Sequence, residues 1–523
     1  MENLFKTKYK KDIIGIISGF DRQLFSGSII QLTYTKGLER HLRANHILLK
    51  DFKPYAISLA TELKQNAYRL AEENNAKFIY LKDSKQSNEE LVKAIIDERG
   101  TKAGLIAVIT SLETDYGFDI QGSKAINKIE LKARRRKCLH IYFYFIDEDY
   151  GLCYFRVQTY FPFKLQVYCN AHEKLALDMQ KAKIEYTKAD NCFTWISDIN
   201  KAQQLSDNIN VSSFHSKLDQ WVEQYVPILK RLSQIWTMKY HWSIKQVEYS
   251  TDIIFKSEER LNILYQQLLN YCNNTVIPED VMSFLGKRFS GKQSGRIQTS
   301  CKRTYNGFRI KHQCGFLSIK MYNKAGNVLR IELTVNDVTQ LRVYREVHHK
   351  DGSVTKEQAQ MEKTIYSLVH ISRFGKADTS RYLDFLSKME DNSQAISQLS
   401  EFTNRKTLNN RNYRGFNPLN ENELIIFQVL LNGALIANGF TSKHLKKYLS
   451  QYVKEQWTTS KISRLLKRLI VFNLIKRLKK SYKYFLTEIG RIIITMFLKL
   501  RNMTVIPTLS VLLNYLRPAL VKA

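Results

Sequence analysis

The sequence predicts an α+β chain of several domains, with two mixed regions built on largely antiparallel sheets and a small C-terminal domain of helices closed by a hairpin. Three observations predict it. The length, 523 residues, exceeds what a single core usually serves. Apolar and polar residues alternate through Leu139–Phe145, Lys245–Phe255 and Ser318–Asn336, the period of half-buried strands. Near the C-terminus the period lengthens to that of helices and then shortens again. The expected divisions are an N-terminal domain at 1–210, a central domain at 211–400, a linker at 401–420, a C-terminal domain at 421–503 and a tail at 504–523.

Charge bounds the partner. Eighty-one Lys and Arg stand against 49 Asp and Glu, a formal net charge of +32, and such an excess favours a polyanion through counterion release. Nucleic acid is the expected partner: double-stranded DNA first, single-stranded DNA or RNA second. The apolar runs fall short of the ~18–20 residues of a spanning helix, and the N-terminus shows no small-residue cleavage site. No membrane partner is expected, and the expected location is the cytoplasm. Seven cysteines without a CxxC pair read as reduced thiols rather than a zinc site. Gly286–Gln293 (GKRFSGKQ) has the glycine and lysine spacing of a phosphate-binding loop, but Gln293 stands where Ser or Thr would hold magnesium. No nucleotide, zinc or haem is expected, and this stretch reads as a basic loop against a phosphate backbone.

In chain order, Ala56–Asn74 has helical spacing and GLIAVIT from Gly104 reads as a buried strand. LHIYFYFID and LCYFRVQTYF follow as strands whose polar face carries His140, Tyr142, Tyr144, Arg156 and Gln158, just after the basic run Lys132–Cys138. This face reads either as a solvated sheet surface or as a groove for RNA bases. In the central region, Gln246, Glu248, Ser250 and Asp252 share one face of a strand. Ser318–Asn336 is a predicted hairpin turning at Asn323–Asn327, with Lys320 and Tyr322 on one arm and Arg330 and Glu332 on the other. If these strands share a sheet, the candidate catalytic group is Glu248, Asp252, Glu332, Lys320 and Tyr322. Carboxylates would hold a hard cation, Mg2+ or Mn2+, and the cations would face a phosphodiester. Glu248 and Asp252 are four residues apart, about 13 Å on a regular strand, so at most one of them pairs with Glu332; the ligands expected are Glu332 and Glu248. The plain alternative is a salt-bridged structural sheet.

The acidic strand, the phrase Tyr322-Asn323-Lys324 and the strand Arg330-Ile331-Glu332 resemble motifs of the replication initiators of rolling-circle plasmids. That resemblance implies metal-binding acids and a tyrosine that attacks the DNA backbone; Tyr344, Tyr366 and Tyr382 all remain open as the attacking residue. Longer phrases, RVQTYFPFKLQVY, SIKMYNKAG and LRIELTVND, resemble a set of uncharacterised bacterial proteins and imply no function.

At the C-terminus, Thr458, Thr459 and Ser460 can cap a helix whose Ile462, Leu465, Leu466 and Leu469 form the buried stripe. Lys461, Arg464 and Arg468 fall on the opposite side with Ser463 and Lys467 beside them. Two short strands then flank Lys479, Lys480 and Ser481. This order resembles the winged helix-turn-helix of the MarR and ArsR families of bacterial regulators. The resemblance covers roughly 421–501 and implies a winged helix with Ser460, Lys461, Ser463, Arg464, Lys467 and Arg468 in a major groove. It implies Lys479, Lys480 and Lys483 near the minor groove or phosphates. The function expected is a sequence-specific DNA-binding protein of plasmid replication or transposition, with metal-dependent strand nicking. The alternatives are a non-enzymatic winged-helix transcription regulator and an RNA-binding protein.

Overall fold

A computed structural model describes residues 4–82, 87–100, 102–123, 128–287, 297–304, 307–389, 399–452, 457–478 and 481–507. Chain contacts form two compact units, Met1–Leu269 with Ile277–Leu386, and Asn270–Val276 with Ser387–Ala523.

Besides a separate hairpin of Arg342–His348 with Val354–Gln360, the strands of the first unit are β1 (Ile13–Ser28), β2 (Lys77–Leu81), β3 (Gly104–Ser123), β4 (Lys128–Asp147), β5 (Gly151–Gln158), β6 (Leu165–Asn170), β7 (Tyr186–Ala189), β8 (Cys192–Ile196), β9 (His241–Phe255), β10 (Ile297–Thr304), β11 (Gly307–Cys314), β12 (Leu317–Lys324) and β13 (Val328–Val335). All but the β7–β8 hairpin join one 11-stranded sheet, ordered β10-β11-β12-β13-β9-β1-β6-β5-β4-β3-β2. Every pairing is antiparallel except β2 with β3. The expected boundary at residue 210 is therefore corrected. β1 from the N-terminal region bonds β6 on one side and β9 on the other, so neither half ends in an open edge there.

One face of this sheet is apolar and buried. Phe20, Phe25, Phe143, Phe155, Tyr249, Ile331 and Leu333 line it. The helix Val211–Tyr225 covers it through Tyr225, stacked on Phe143 with centroids 4.5 Å apart, and through Phe214 on Phe25 at 5.0 Å. The helix Leu368–Ser387 comes closest at Gly375, where an added Cβ would lie 2.4 Å from the Tyr249 ring. Only glycine admits that approach. The other face is polar, and two covers lie on it. Val92 and Ile95 of the helix Asn88–Arg99 pack on Tyr144 and Ile109. Leu175 and Met179 of the helix Ala171–Lys181, with Phe193 of β8, pack on Ile17, Ile254 and Val328.

The second unit contains helices Glu421–Leu430, Gly433–Asn438, Ser442–Tyr452, Thr459–Val471 and Glu488–Lys499, and a two-stranded antiparallel hairpin, Ile475–Arg477 with Tyr484–Leu486. Residues 401–420 are not a free linker. Lys406–Leu408 pairs with Arg411–Tyr413, and Phe402 and Phe416 sit in the same core as Phe427, Leu466 and Phe472. The polar composition hid those two aromatic anchors. Among the described residues, no helix is long and apolar enough to cross a membrane. The seven cysteines are free thiols, and all except Cys301 are buried.

Candidate functional site

The β12–β13 hairpin turns at Ala325 and Gly326, both left-handed at φ 55° and 84°. Its register sets Lys320 opposite Glu332 and Tyr322 opposite Arg330. β9 lies on the other side of β13, with Asp252 opposite Arg330 and Glu248 opposite Thr334. These six side chains share the polar face, but they fall into two groups.

The first group contains Glu248, Glu332, Lys320 and Tyr322. The Lys320 ammonium donates to Glu332 Oε1 and reaches Glu248 Oε1 at 3.4 Å, while the Tyr322 hydroxyl donates to Glu332 Oε2 at 2.6 Å. β1 supplies a member absent from the sequence-derived set, Asp21. Between Phe20–Tyr249 and Gln23–Val247, two residues of β1, Asp21 and Arg22, face the single residue Glu248. Asp21 lies on the polar face by the alternation of Ile17 and Gly19, and the bulge adds Arg22 to that face. Asp21, Glu248 and Glu332 each offer a carboxylate oxygen, all within 4.8 Å of one another. Burial, then Glu332, pushes the Glu248 carboxyl up to about 7 against the pull of Lys320. Burial disfavours the charged Lys320, but Glu332 and Glu248 outweigh it and raise its pKa. Burial and the Glu332 carboxylate push the Tyr322 phenol far up, so it stays protonated.

The second group is a buried ion network around Arg330, which is 0% exposed. Its Nε and Nη2 donate to the two oxygens of Asp252 at 2.7 Å each, Nη1 donates to Asp21 Oδ2 at 2.7 Å, and Nη2 also donates to the Asn191 carbonyl at 2.8 Å. His172 stands between, with Nδ1 3.5 Å from Asp21 and Nε2 3.7 Å from Asp252. Burial works against charge on Asp21, but His172, Arg330 and Lys324 hold its carboxyl well below the usual range. Burial likewise opposes charge on Asp252, and Arg330 and His172 overcome it. Asp252 is therefore corrected from an open catalytic position to a fully buried partner of Arg330.

Of the three sequence-derived tyrosines, two bond histidines outside this group. Tyr382 is 0% exposed and shares a 3.0 Å hydrogen bond with His312. Tyr366 bonds His215 at 2.9 Å, and Tyr344 is 71% exposed. On β4–β6, the rings of Tyr142 and Tyr144 stack at 16°, and those of Tyr154 and Tyr168 at 12°, with the Arg22 guanidinium 5.5 Å from the Tyr168 ring. Their faces are engaged with one another, which leaves little ring surface for bases.

In the second unit, Thr458 accepts from the Lys461 amide at 3.3 Å and caps the helix Thr459–Val471. Ile462, Leu465, Leu466 and Leu469 are buried, while Ser460, Lys461, Ser463, Arg464 and Lys467 are exposed. Arg468 departs from this face. It donates to Glu423 Oε1 at 2.7 Å and to the Arg414 and Gly415 carbonyls at 2.8 and 2.6 Å, with its guanidinium 3.9 Å over the Phe416 ring. Its assignment to a DNA-reading set is corrected to an internal anchor. Lys483 is exposed beside the hairpin. Lys479, Lys480 and most of the Gly286–Gln293 loop lie outside the described residues.

Comparison of the chain with protein-family models, curated proteins and solved structures finds no match.

Proposed function

We propose that this is a DNA-binding protein whose C-terminal unit docks on duplex DNA and whose sheet carries out metal-dependent cleavage of a phosphodiester, as plasmid replication or transposition requires. The convergence of Asp21, Glu248 and Glu332 within 4.8 Å carries the chemical part of this reading. Three carboxylate oxygens at that spacing suit a hard divalent ion, Mg2+ or Mn2+. Such an ion would polarise a phosphoryl oxygen and lower the pKa of a bound water. In hydrolysis the water oxygen bonds to phosphorus, one ester P–O bond breaks, and the departing oxygen takes up a proton. Glu248, with its carboxyl raised to about 7, would give up its proton to serve as a ligand, so solvent water supplies the proton to the departing oxygen. Lys320 is suited to face the phosphate. Tyr322 serves as a donor that orients Glu332 rather than as the nucleophile, because its phenol is held protonated.

The docking part rests on the capped helix Thr459–Val471 with exposed Lys461, Arg464 and Lys467, and on the hairpin that follows. As a winged helix it would set those side chains in a major groove, and the +32 charge of the chain favours the same partner. A second reading, a winged-helix regulator without chemistry, is favoured by one observation. Lys320 bridges Glu332 and Glu248, so the protein already compensates part of their charge.

Incubating the protein with supercoiled DNA, with and without Mg2+ or Mn2+, separates the two. Cation-dependent nicks support cleavage. Specific binding with no nick on any DNA, including DNA from the protein's own genomic neighbourhood, leaves the regulator.

A further inference from the structure

The polar face carries a second charged feature beside the carboxylates, and it also sits at a bulge. Between Leu24–Gln246 and Phe25–Ile244, β9 holds one residue more than β1, and that residue is Lys245. Regular alternation would put Lys245 on the apolar face with Val247 and Tyr249. The bulge instead sends it to the polar face, where its ammonium donates to Gln166 Oε1 at 2.8 Å. Arg156 Nη1 donates to the same oxygen at 3.4 Å. Two cations thus converge on one neutral amide oxygen, with Lys164 close enough that its charge, together with that of Arg156, adds to burial in lowering the Lys245 pKa.

Arg156 is matched by Glu113 at 2.7 Å and Asp115 at 3.6 Å. Neither Lys164 nor Lys245 has an acid within 4.0 Å among the described residues. The patch is continuous with the carboxylates. Gln166 pairs with Ser26 on β1, Tyr168 with Leu24, and Asn170 with Arg22, and Arg22 lies in the bulge opposite Glu248.

We infer that Lys164 and Lys245, with Arg156 and Gln166, form a subsite for the phosphodiester backbone of the same nucleic acid whose cleavage is proposed above. The inference rests on that proposal for the identity of the anion. Recognition here is of phosphate rather than of bases, because the neighbouring tyrosine rings stack on one another. The amide and the ammonium groups present only polar edges.

The test uses the full chain with Lys461, Arg464 and Lys467 changed to alanine, so that the C-terminal helix does not mask the sheet. Binding of a fluorescent single-stranded oligonucleotide, and of its duplex, is followed by anisotropy in EDTA across a salt series. Adding Lys164→Ala and Lys245→Ala is expected to weaken binding and to flatten the slope of log K against log salt. The loss should be about 0.7 per lysine if a single strand is the ligand and about 0.9 if a duplex is. Lys245→Arg, which keeps the charge, should retain the parent slope. An unchanged slope on both DNA forms, or no binding by the parent triple variant, overturns the subsite. Nicking is read separately with Mn2+. A lost slope with no nicking keeps the subsite and discards the cleavage reading, and nicking with an unchanged slope does the reverse.

Discussion

Asp21 and Arg22 on β1 together face Glu248 on β9, where β1 carries one residue more than its partner. Alternation from Ile17 and Gly19, opposite Asp252 and Ser250, already turns Asp21 to the polar face, and the bulge turns Arg22 there as well. Asp21 also meets Arg330, so one carboxylate belongs to both the candidate cation site and the buried network. The network thereby positions the site.

The Glu248 carboxyl, raised to about 7 mainly by burial and then by Glu332, makes cation binding depend on pH. Mn2+ affinity, read by isothermal titration calorimetry, should rise as pH passes through about 7. Glu248→Gln should weaken binding and remove most of that pH dependence. A pH-independent affinity in the native protein would show that the ion displaces no proton from Glu248.

The same shift is a stability statement. The native state retains a proton on Glu248 that the unfolded chain releases above its ordinary 4.5. The resulting stabilisation is fully present below 4.5 and is lost as pH rises to about 7, by on the order of 3 kcal/mol for a shift of this size. Asp378, which burial also raises to about 7, acts in the same window. The difference between native protein and Glu248→Gln in urea unfolding at several pH values isolates the Glu248 share.

Arg330 and Asp252 form a fully buried bidentate pair. Removing one partner strands the other charge in the sheet, so Asp252→Ala should lower unfolding free energy by about 3–5 kcal/mol. Chemical denaturation measures this directly. A change below about 1 kcal/mol would mean that water reaches Arg330 readily.

In the second unit, Arg468→Ala and the triple change of Lys461, Arg464 and Lys467 to alanine should diverge. The first removes the bond to Glu423 and two carbonyl contacts and should cost about 1–3 kcal/mol of stability. The triple variant should keep its melting temperature while DNA affinity falls and its salt slope flattens by up to about 3. Thermal melts and gel-shift titrations separate the outcomes.

Much of this was legible from local pattern. Lys320, Tyr322, Arg330 and Glu332 were placed on one face because strict alternation around a short Asn- and Gly-containing turn fixes register. The C-terminal stripe of Ile462, Leu465, Leu466 and Leu469 followed from helical spacing. What escaped was non-local. Lys245 points where it does because of a bulge, which breaks the alternation from which direction is read, and Asp21 joins the site from a strand distant in sequence. In Ile13–Phe25, the interruption of an apolar alternation by Asp21-Arg22 was the only available signal. Asp252 looked like Glu248 in sequence because both occupy the same face, and its cover, His172 and Asn191, comes from distant segments. Arg468 shares a helical face with Lys461, but Glu423 and Phe416 lie some 45 and 52 residues earlier.

The most direct test of the central claim pairs two readings on Glu332→Gln, a neutral replacement of similar shape. Nicking of supercoiled DNA in Mn2+ and affinity for the same DNA in EDTA are measured against the native protein. The account predicts that nicking is abolished and affinity is nearly unchanged. Undiminished nicking by Glu332→Gln, or native protein that binds the DNA and never nicks it, would contradict it.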